Sequence, residues 1–213
     1  MNRIHPTAII GDDVKMGDGN IIGPNSFIYG NVKIGNENII GPFASIGNPP
    51  QHTSHDNNPF AVDGNIEIGD NNIIREFSTI HHPTIDVTKI GDGCYIMSYS
   101  LVNHDCTLGN KVTMSPASLA GHTRVMEGVI MGLKSMTHQF TTIGAYAMIG
   151  MGAVVVKDIP PGAKVVGNPA RFIGWNTIGF ERNSVSKENL DQLKLVWQKL
   201  RREGRKKITI NEN

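Results

Sequence analysis

Aliphatic residues recur at every sixth position along most of the chain. Ile10, Met16, Ile22, Ile28, Ile34, Ile40 and Ile46 open the series. The register resumes at Ile68, Ile74 and Ile80, then runs through Ile90, Ile96, Val102, Leu108 and Met114. After one five-residue step, Leu119, Val125, Met131, Thr137, Ile143, Ile149 and Val155 complete it. Six of the first seven are followed by glycine, Tyr29 being the exception, and the position two before each holds a small or medium residue such as Ala8, Asn20, Ser26 or Ala44. A six-residue period fits neither a helix nor the two-residue alternation of a strand meander. It predicts an all-β solenoid, a left-handed parallel β-helix of hexapeptide repeats in which each hexad makes one short strand and one corner. Three hexads close a triangular coil, so roughly 22 hexads predict about seven coils held by backbone bonds and inward aliphatic stacks.

The pattern breaks in two places. Residues 48–64 are polar and turn-rich and read as an excursion loop, and residues 81–88, beginning His81-His82-Pro83, form a shorter break. Long loops on a rigid solenoid often carry binding sites. The β-helix is expected to end near Asp158-Ile159-Pro160-Pro161-Gly162, where two prolines remove ladder donors. A C-terminal α-helical tail follows: Ser186 can cap a helix over about 186–203, with Leu190, Leu193, Trp197 and Leu200 on one face. Residues 1–165 thus form the β-helical body and 166–213 an extension. Arg201, Arg202, Arg205, Lys206 and Lys207 crowd the helix end, where they complement its dipole or offer a docking patch to an acidic partner.

Composition supports this picture. Of 213 residues 24 are glycine and only 6% aromatic, as tight turns and small corners require. Twenty Lys+Arg against nineteen Asp+Glu argue against a nucleic-acid-coating protein. No apolar run is long enough to span a bilayer, and the N-terminus lacks a signal-peptide pattern. Cys94 and Cys106 form no CxxC pair, so the chain is expected to be soluble, cytoplasmic and reduced.

The register also places chemistry. Val102, Leu119 and Thr137 are three hexads apart, so His104, His122 and His138, which follow them closely, should form a column at one edge. Imidazoles can bind zinc, but the His-x4-His pair that γ-class carbonic anhydrases use on such a scaffold is absent, and no metal is expected. A neutral imidazole can instead act as general base as a hydroxyl or amine attacks a thioester. Asp105 follows His104 and could orient it, although adjacent side chains in a strand point to opposite faces. Nothing resembles a nucleophile elbow, so direct transfer is expected. His52, His55, His81 and His82 sit in or beside the loops, either solvated or in contact with substrate.

His104-Asp105-Cys106-Thr107-Leu108-Gly109-Asn110, with Leu119-Ala120-Gly121-His122 and His138-Gln139-Phe140, resembles the UDP-N-acetylglucosamine 3-O-acyltransferase family of lipid A biosynthesis. The resemblance extends over about 190 residues, from Ile4-His5-Pro6-Thr7-Ala8 through Thr79-Ile80-His81 to the C-terminal helix. It implies a homotrimer with sites between subunits, a nucleotide-sugar acceptor, no bound cofactor, and an acyl thioester donor on acyl carrier protein or CoA. It further implies His104 as general base, Asp105 as its partner, Gly121 as the amide for the thioester oxyanion, and His122 beside it. Gln51, His138 and Gln139 match sugar-side positions, Asn176 a uracil contact and Arg182 a phosphate contact. Met97 and Met151 match an acyl groove in which methionine at 151 shortens the accepted chain.

The chain departs from the family at Leu101, where a second histidine is expected, and at Asn183, where a second arginine is. Its N-terminal region is one coil shorter, the 48–64 loop is longer and the helical tail is truncated. Gly167-Asn168-Pro169-Ala170-Arg171 looks like the ending of acetyl-CoA-dependent sugar acetyltransferases, which keeps N-acylation of a nucleotide-linked amino sugar as the alternative. A non-catalytic scaffold is a third class, and His104→Ala separates it from the enzymes.

Overall fold

The computed structural model describes residues 1–54, 64–192 and 195. Within them the hexads form two-residue strands, each ending on the aliphatic of the series, as in Ile21–Ile22, Leu101–Val102 and Met148–Ile149. The chain visits three parallel sheets in turn, the faces of a triangular left-handed β-helix. The first face runs from Arg3–Ile4 to Ala163–Val166, the second from Ile9–Ile10 to Val154–Val155, and the third from Lys15–Met16 to Thr142–Ile143. In-register pairs such as Ile74 with Ile96 and Val102 with Leu119 stack like on like.

Ile28, Ile46, Ile74, Ile80, Ile96, Leu119 and Ile149 are fully enclosed in one continuous core. Each such side chain contributes about 1.5–3 kcal/mol on leaving water. The small positions hold a second column that the aliphatic period does not reveal. Asn2, Asn20, Asn38 and Asn72 stack at one inner corner, each side-chain oxygen accepting the backbone N–H one coil on, at 2.9 Å for Asn20, Asn38 and Asn72 and 2.7 Å for Cys94. The polar ladder satisfies amides that the turns leave without a strand partner.

The outer surfaces differ. The third face presents Lys15, Lys33, Glu67, Lys89, Thr107, Arg124 and Thr142 in one cross-strand row. The first and second faces carry exposed Ile39, Ile73 and Met148, and Ile9 and Met136. Phe43, Phe77 and Tyr99 stack along the corner between them, ring centroids 5.2 and 5.0 Å apart.

Two expectations need correction. The faces hold nine, eight and seven parallel strands, more than seven coils' worth, because Arg3–Ile4 and Ala163–Val166 lie beyond the counted series. The prolines do not end the helix. Pro161 takes the first turn position, as Pro6, Pro24, Pro42 and Pro116 do; the coil asks for no backbone donor there, and Lys164 pairs with Met148 beyond it. The terminator is Arg171–Trp175, which folds back antiparallel on Ala163–Val166, the strand that spans the 165/166 boundary. A short helix, Thr177–Arg182, follows unanticipated, too brief to leave a periodic signal. Residues 187–192 are helical and Ser186 Oγ accepts the Asn189 N–H at 3.2 Å. Leu193, Trp197, Leu200 and the basic cluster at 201–207 lie outside the described residues, as does His55. Among the described residues no helix is long and apolar enough to cross a membrane.

Candidate active site

The corner joining the second and third faces carries the chemistry. Both interruptions of the hexad series leave from it, after Ser45–Asn48 and after Thr79–His81, so the loops lie on the same edge as the histidines. In three successive coils its first turn position holds His104, Gly121 and Gln139, and its second Asp105, His122 and Phe140. The second position is left-handed, with φ of 57°, 59° and 62°. Asn25, Phe43, Tyr99 and others share that conformation at other corners, so it belongs to the coil and is no special strain of the site.

The turn overturns the objection from strand alternation. His104 and Asp105 are turn residues, and their side chains meet: His104 Nδ1 lies 2.8 Å from Asp105 Oδ2. A carboxylate only accepts, so Nδ1 carries a proton, and in the neutral form of the ring Nε2 is the nitrogen with the lone pair. Burial would raise the Asp105 pKa, but the Thr84 hydroxyl, the Asp86 and Thr84 amides and the His104 ring hold it well below the usual carboxylate range. Oδ2 accepts from the Thr84 N–H at 2.9 Å and hydroxyl at 2.6 Å; Oδ1 accepts from the Ile85 and Asp86 amides at 3.1 and 2.9 Å. The Asp105 N–H in turn donates to Thr88 Oγ1 at 3.0 Å. The 81–88 break is thus a cradle for one carboxylate. Sequence reasoning missed Thr84, Ile85, Asp86 and Thr88; the loss of period one coil before His104 was the available signal.

His122 lies beside this pair, its ring edge-on to His104 at 5.2 Å and its Nε2 3.6 Å from Asp105 Oδ2, too far for a hydrogen bond. Phe140 stacks flat on it at 4.5 Å. His52 approaches His104 edge-on at 5.8 Å. The expected three-histidine column is therefore two histidines and a phenylalanine. His138 is exposed at the strand end, its Nδ1 3.1 Å from the Gln139 carbonyl, because it follows Thr137 by one residue whereas His104 follows Val102 by two. Gln139 and Gln51 are exposed at this edge.

Gly121 is buried, and among the described residues its N–H meets no acceptor. A donor so placed can hold a developing oxyanion. The ligand atoms of His104, Asp105 and His122 lie within 4.8 Å of one another, close enough for a cation. Asp105 already accepts five hydrogen bonds, one of them from His104, which leaves it poorly placed to coordinate and favours an imidazole base.

Other expected contacts fall elsewhere. Asn176 is buried as the cap of the short helix: its Oδ1 accepts the Gly179 N–H at 3.1 Å and its Nδ2 donates to the Tyr146 carbonyl at 2.9 Å. Each end of the amide thus makes one hydrogen bond within the C-terminal segment. Arg182 is exposed in the last turn of that helix, and Asn183 caps its end. Half-buried Met97 and exposed Met151 lie on the corner between the first and second faces, across the second face from His104. His81 is buried, its Nδ1 2.6 Å from the Pro49 carbonyl, and His82 is buried behind it with Nε2 3.3 Å from the Tyr29 carbonyl.

Fold and corner together define a hexapeptide-repeat transferase. Residues 13–48 match the bacterial transferase hexapeptide family, and residues 158–212 match the second domain of UDP-N-acetylglucosamine O-acyltransferases. The chain is 39% identical to the acyl-carrier-protein–UDP-N-acetylglucosamine O-acyltransferase of Thiobacillus denitrificans, over 96% of this chain and 86% of that one. It is also 39% identical to that of Alkalilimnicola ehrlichii, over 77% of this chain and 64% of that one. Among solved structures, a UDP-N-acetylglucosamine acyltransferase from Campylobacter jejuni superposes with a TM-score of 0.80 at 30% identity, over all of this chain and 89% of its own. One from Francisella novicida does so at 0.79 and 31%, over 92% and 78%. The chain belongs to the UDP-N-acetylglucosamine O-acyltransferase family.

Proposed function

We propose that this chain moves an acyl group from an acyl carrier protein thioester onto the 3-hydroxyl of UDP-N-acetylglucosamine, a cytoplasmic step of lipid A synthesis. The observation that carries the reading is the buried His104–Asp105 pair, with a protonated Nδ1 and a free Nε2, beside the unengaged Gly121 amide. Nε2 takes the hydroxyl proton as the oxygen attacks the thioester carbonyl. The Gly121 N–H stabilises the oxyanion, and the C–S bond breaks as His104 returns the proton to the departing sulfur. Asp105 stays ionised throughout and steadies the imidazolium between the two transfers. No cofactor enters; the thioester is a substrate.

The working unit is proposed to be a homotrimer. The apolar first and second faces with their aromatic corner ask to be covered, while the charged third face suits solvent. Met97 and Met151 lie across the second face from His104, so an acyl groove near the base is most simply completed by the Met97–Met151 corner of a second copy. Gln51, His138, Gln139 and Arg182 remain proposed acceptor contacts, and 1–165 and 166–213 a body and its extension.

A mass-spectrometric product screen tests the reading. The chain would be mixed with UDP-N-acetylglucosamine, or a UDP-sugar with a free amine, and a ladder of acyl carrier protein and CoA thioesters. The expected product is a base-labile hydroxyacyl ester of UDP-N-acetylglucosamine. A base-stable product on the free amine alone would overturn it in favour of N-acylation, whose sequence cue, Gly167 to Arg171, here builds the turn into the antiparallel strand. Retention of full activity by His104→Ala would overturn the mechanism.

A further inference from the structure

We propose that Thr123 and Thr137 are positioning residues for acyl transfer. Their hydroxyls close a hydrogen-bonded circuit on Ala120 and so aim and polarise the Ala120–Gly121 peptide, whose N–H serves the oxyanion. The catalytic half of this inference rests on the proposed role of Gly121; the circuit itself does not.

Thr137 is the one polar residue in the inward aliphatic series from Ile10 to Val155. Both threonines are buried, Thr123 fully. Elsewhere on the second face, the N–H that follows a strand donates to the carbonyl ending the strand one coil on, as Gly11 does to Ile28 and Asn103 to Leu119. Ala120 departs from this rule. Its N–H donates to the Thr137 hydroxyl at 3.1 Å, and the strand pairing joins Ser118 to Met136 without extending to Leu119 and Thr137.

Three contacts tie the hydroxyls to that one residue. Thr123 Oγ1 lies 2.7 Å from the Ala120 carbonyl oxygen and 2.9 Å from Thr137 Oγ1, which lies 3.1 Å from the Ala120 nitrogen. Only one arrangement of protons satisfies all three. A carbonyl only accepts, so the Thr123 proton is spent on Ala120. The contact between the hydroxyls must then use the Thr137 proton, and Thr137 accepts from the Ala120 N–H. The circuit therefore leaves Ala120 by its N–H and returns to its carbonyl, each bond polarising the next in the same sense. The Cys106 thiol adds a second donor to that carbonyl, Sγ to oxygen 3.2 Å. Burial pushes the Cys106 pKa up to about 12, so the thiol keeps its proton.

The consequence falls on the far side of the peptide. The Ala120 carbonyl and the Gly121 N–H belong to one planar trans unit and point in opposite directions. A carbonyl anchored to two buried side chains thus turns the N–H away from the core, at the corner where the His104 ring packs on Gly121. Hydrogen bonds to a carbonyl also draw charge from its amide nitrogen and make that N–H a stronger donor. An oxyanion gains more from such a donor than the neutral thioester does, so the effect belongs to the transition state.

Kinetics and NMR of the whole chain test it. Thr123→Val keeps the branched shape and loses the hydroxyl, Thr123→Ser keeps the hydroxyl, and Thr137→Val opens the circuit at its other member. Circular dichroism would establish that all are folded. With UDP-N-acetylglucosamine and an acyl carrier protein thioester, Thr123→Val should lower kcat about tenfold and leave KM for the nucleotide sugar unchanged. Thr137→Val should lower kcat about threefold to tenfold, and Thr123→Ser should stay within about twofold of wild type. The double valine variant should be no slower than the slower single one, since either change breaks the same circuit. Unchanged kcat in Thr123→Val, or a serine variant as slow as the valine one, would overturn the positioning role. In a chain labelled at its glycine nitrogens, the Gly121 amide proton should move upfield in Thr123→Val and return in Thr123→Ser. A stationary resonance would overturn the hold of the circuit on the peptide. This readout needs no turnover, so an upfield shift in a chain that acylates no UDP-sugar would sink the proposed function and leave the circuit standing.

Discussion

Gly121 and the His104 imidazole compete for the same space: a β-carbon at 121 would overlap the Cε1 and Nε2 atoms of that ring. The backbone angles do not demand glycine at this position; the neighbouring ring does. Gly121→Ala is therefore expected to tilt His104 away from Asp105 and the acyl carbon. With the core untouched, Tm should move little while kcat falls by about two orders of magnitude or more. Steady-state kinetics beside a thermal melt checks this, and unchanged kcat would show that the ring has room to yield.

Asp105→Asn replaces a pure acceptor with a group that also donates. One side-chain atom would then face N–H donors already aimed at it by Thr84, Ile85, Asp86 or His104. Loss of the His104 tautomer should lower kcat by about 10²–10⁴. The clash should also destabilise the 84–86 cradle by about 1–3 kcal/mol, read in denaturant melts.

Asn38 links two coils of the inner ladder, accepting from Asn72 N–H and donating to Asn20 Oδ1 at 3.0 Å. Asn38→Ala leaves the buried Asn72 N–H without its acceptor, whereas Asn20 Oδ1 keeps the backbone N–H of residue 38, at a cost of about 2 kcal/mol. Tm should drop by about 4–8 °C. A drop under one degree would mean that the ladder is ornamental to stability.

Burial lowers the pKa of His81, against the pull of the Pro49 carbonyl, and likewise that of His82. Below the unfolded value of about 6.5, the unfolded chain then binds more protons than the folded one, so stability rises with pH across that window. Tm should fall as pH is taken from 7 to 5. The slope should flatten in a His81→Asn, His82→Asn double variant, as scanning fluorimetry can measure.

Met151 is mostly exposed in the single chain and stands where a groove could close against another copy. Met151→Gly should shift the preferred donor to a longer acyl chain in the thioester ladder. An unchanged preference would remove Met151 from the groove.

The hexad period determined a great deal by itself. Inward aliphatics from Ile22 to Val155 could be read directly, because a six-residue repeat leaves a chain only one way to bury every sixth side chain. His104, Asp105, Gly121 and His122 were legible too, through register and motif. Tertiary structure decided how they meet. The left-handed turn, not the strand, sets the directions of His104 and Asp105, and the 84–86 amides, residues of no distinctive type, fix the carboxylate. It also placed Met97 and Met151 on a different corner from the base and made Asn176 a helix cap. Periodicity encodes which residues point inward. Side-chain direction at a turn, and contact between residues some twenty positions apart, depend on how each coil sits on the next.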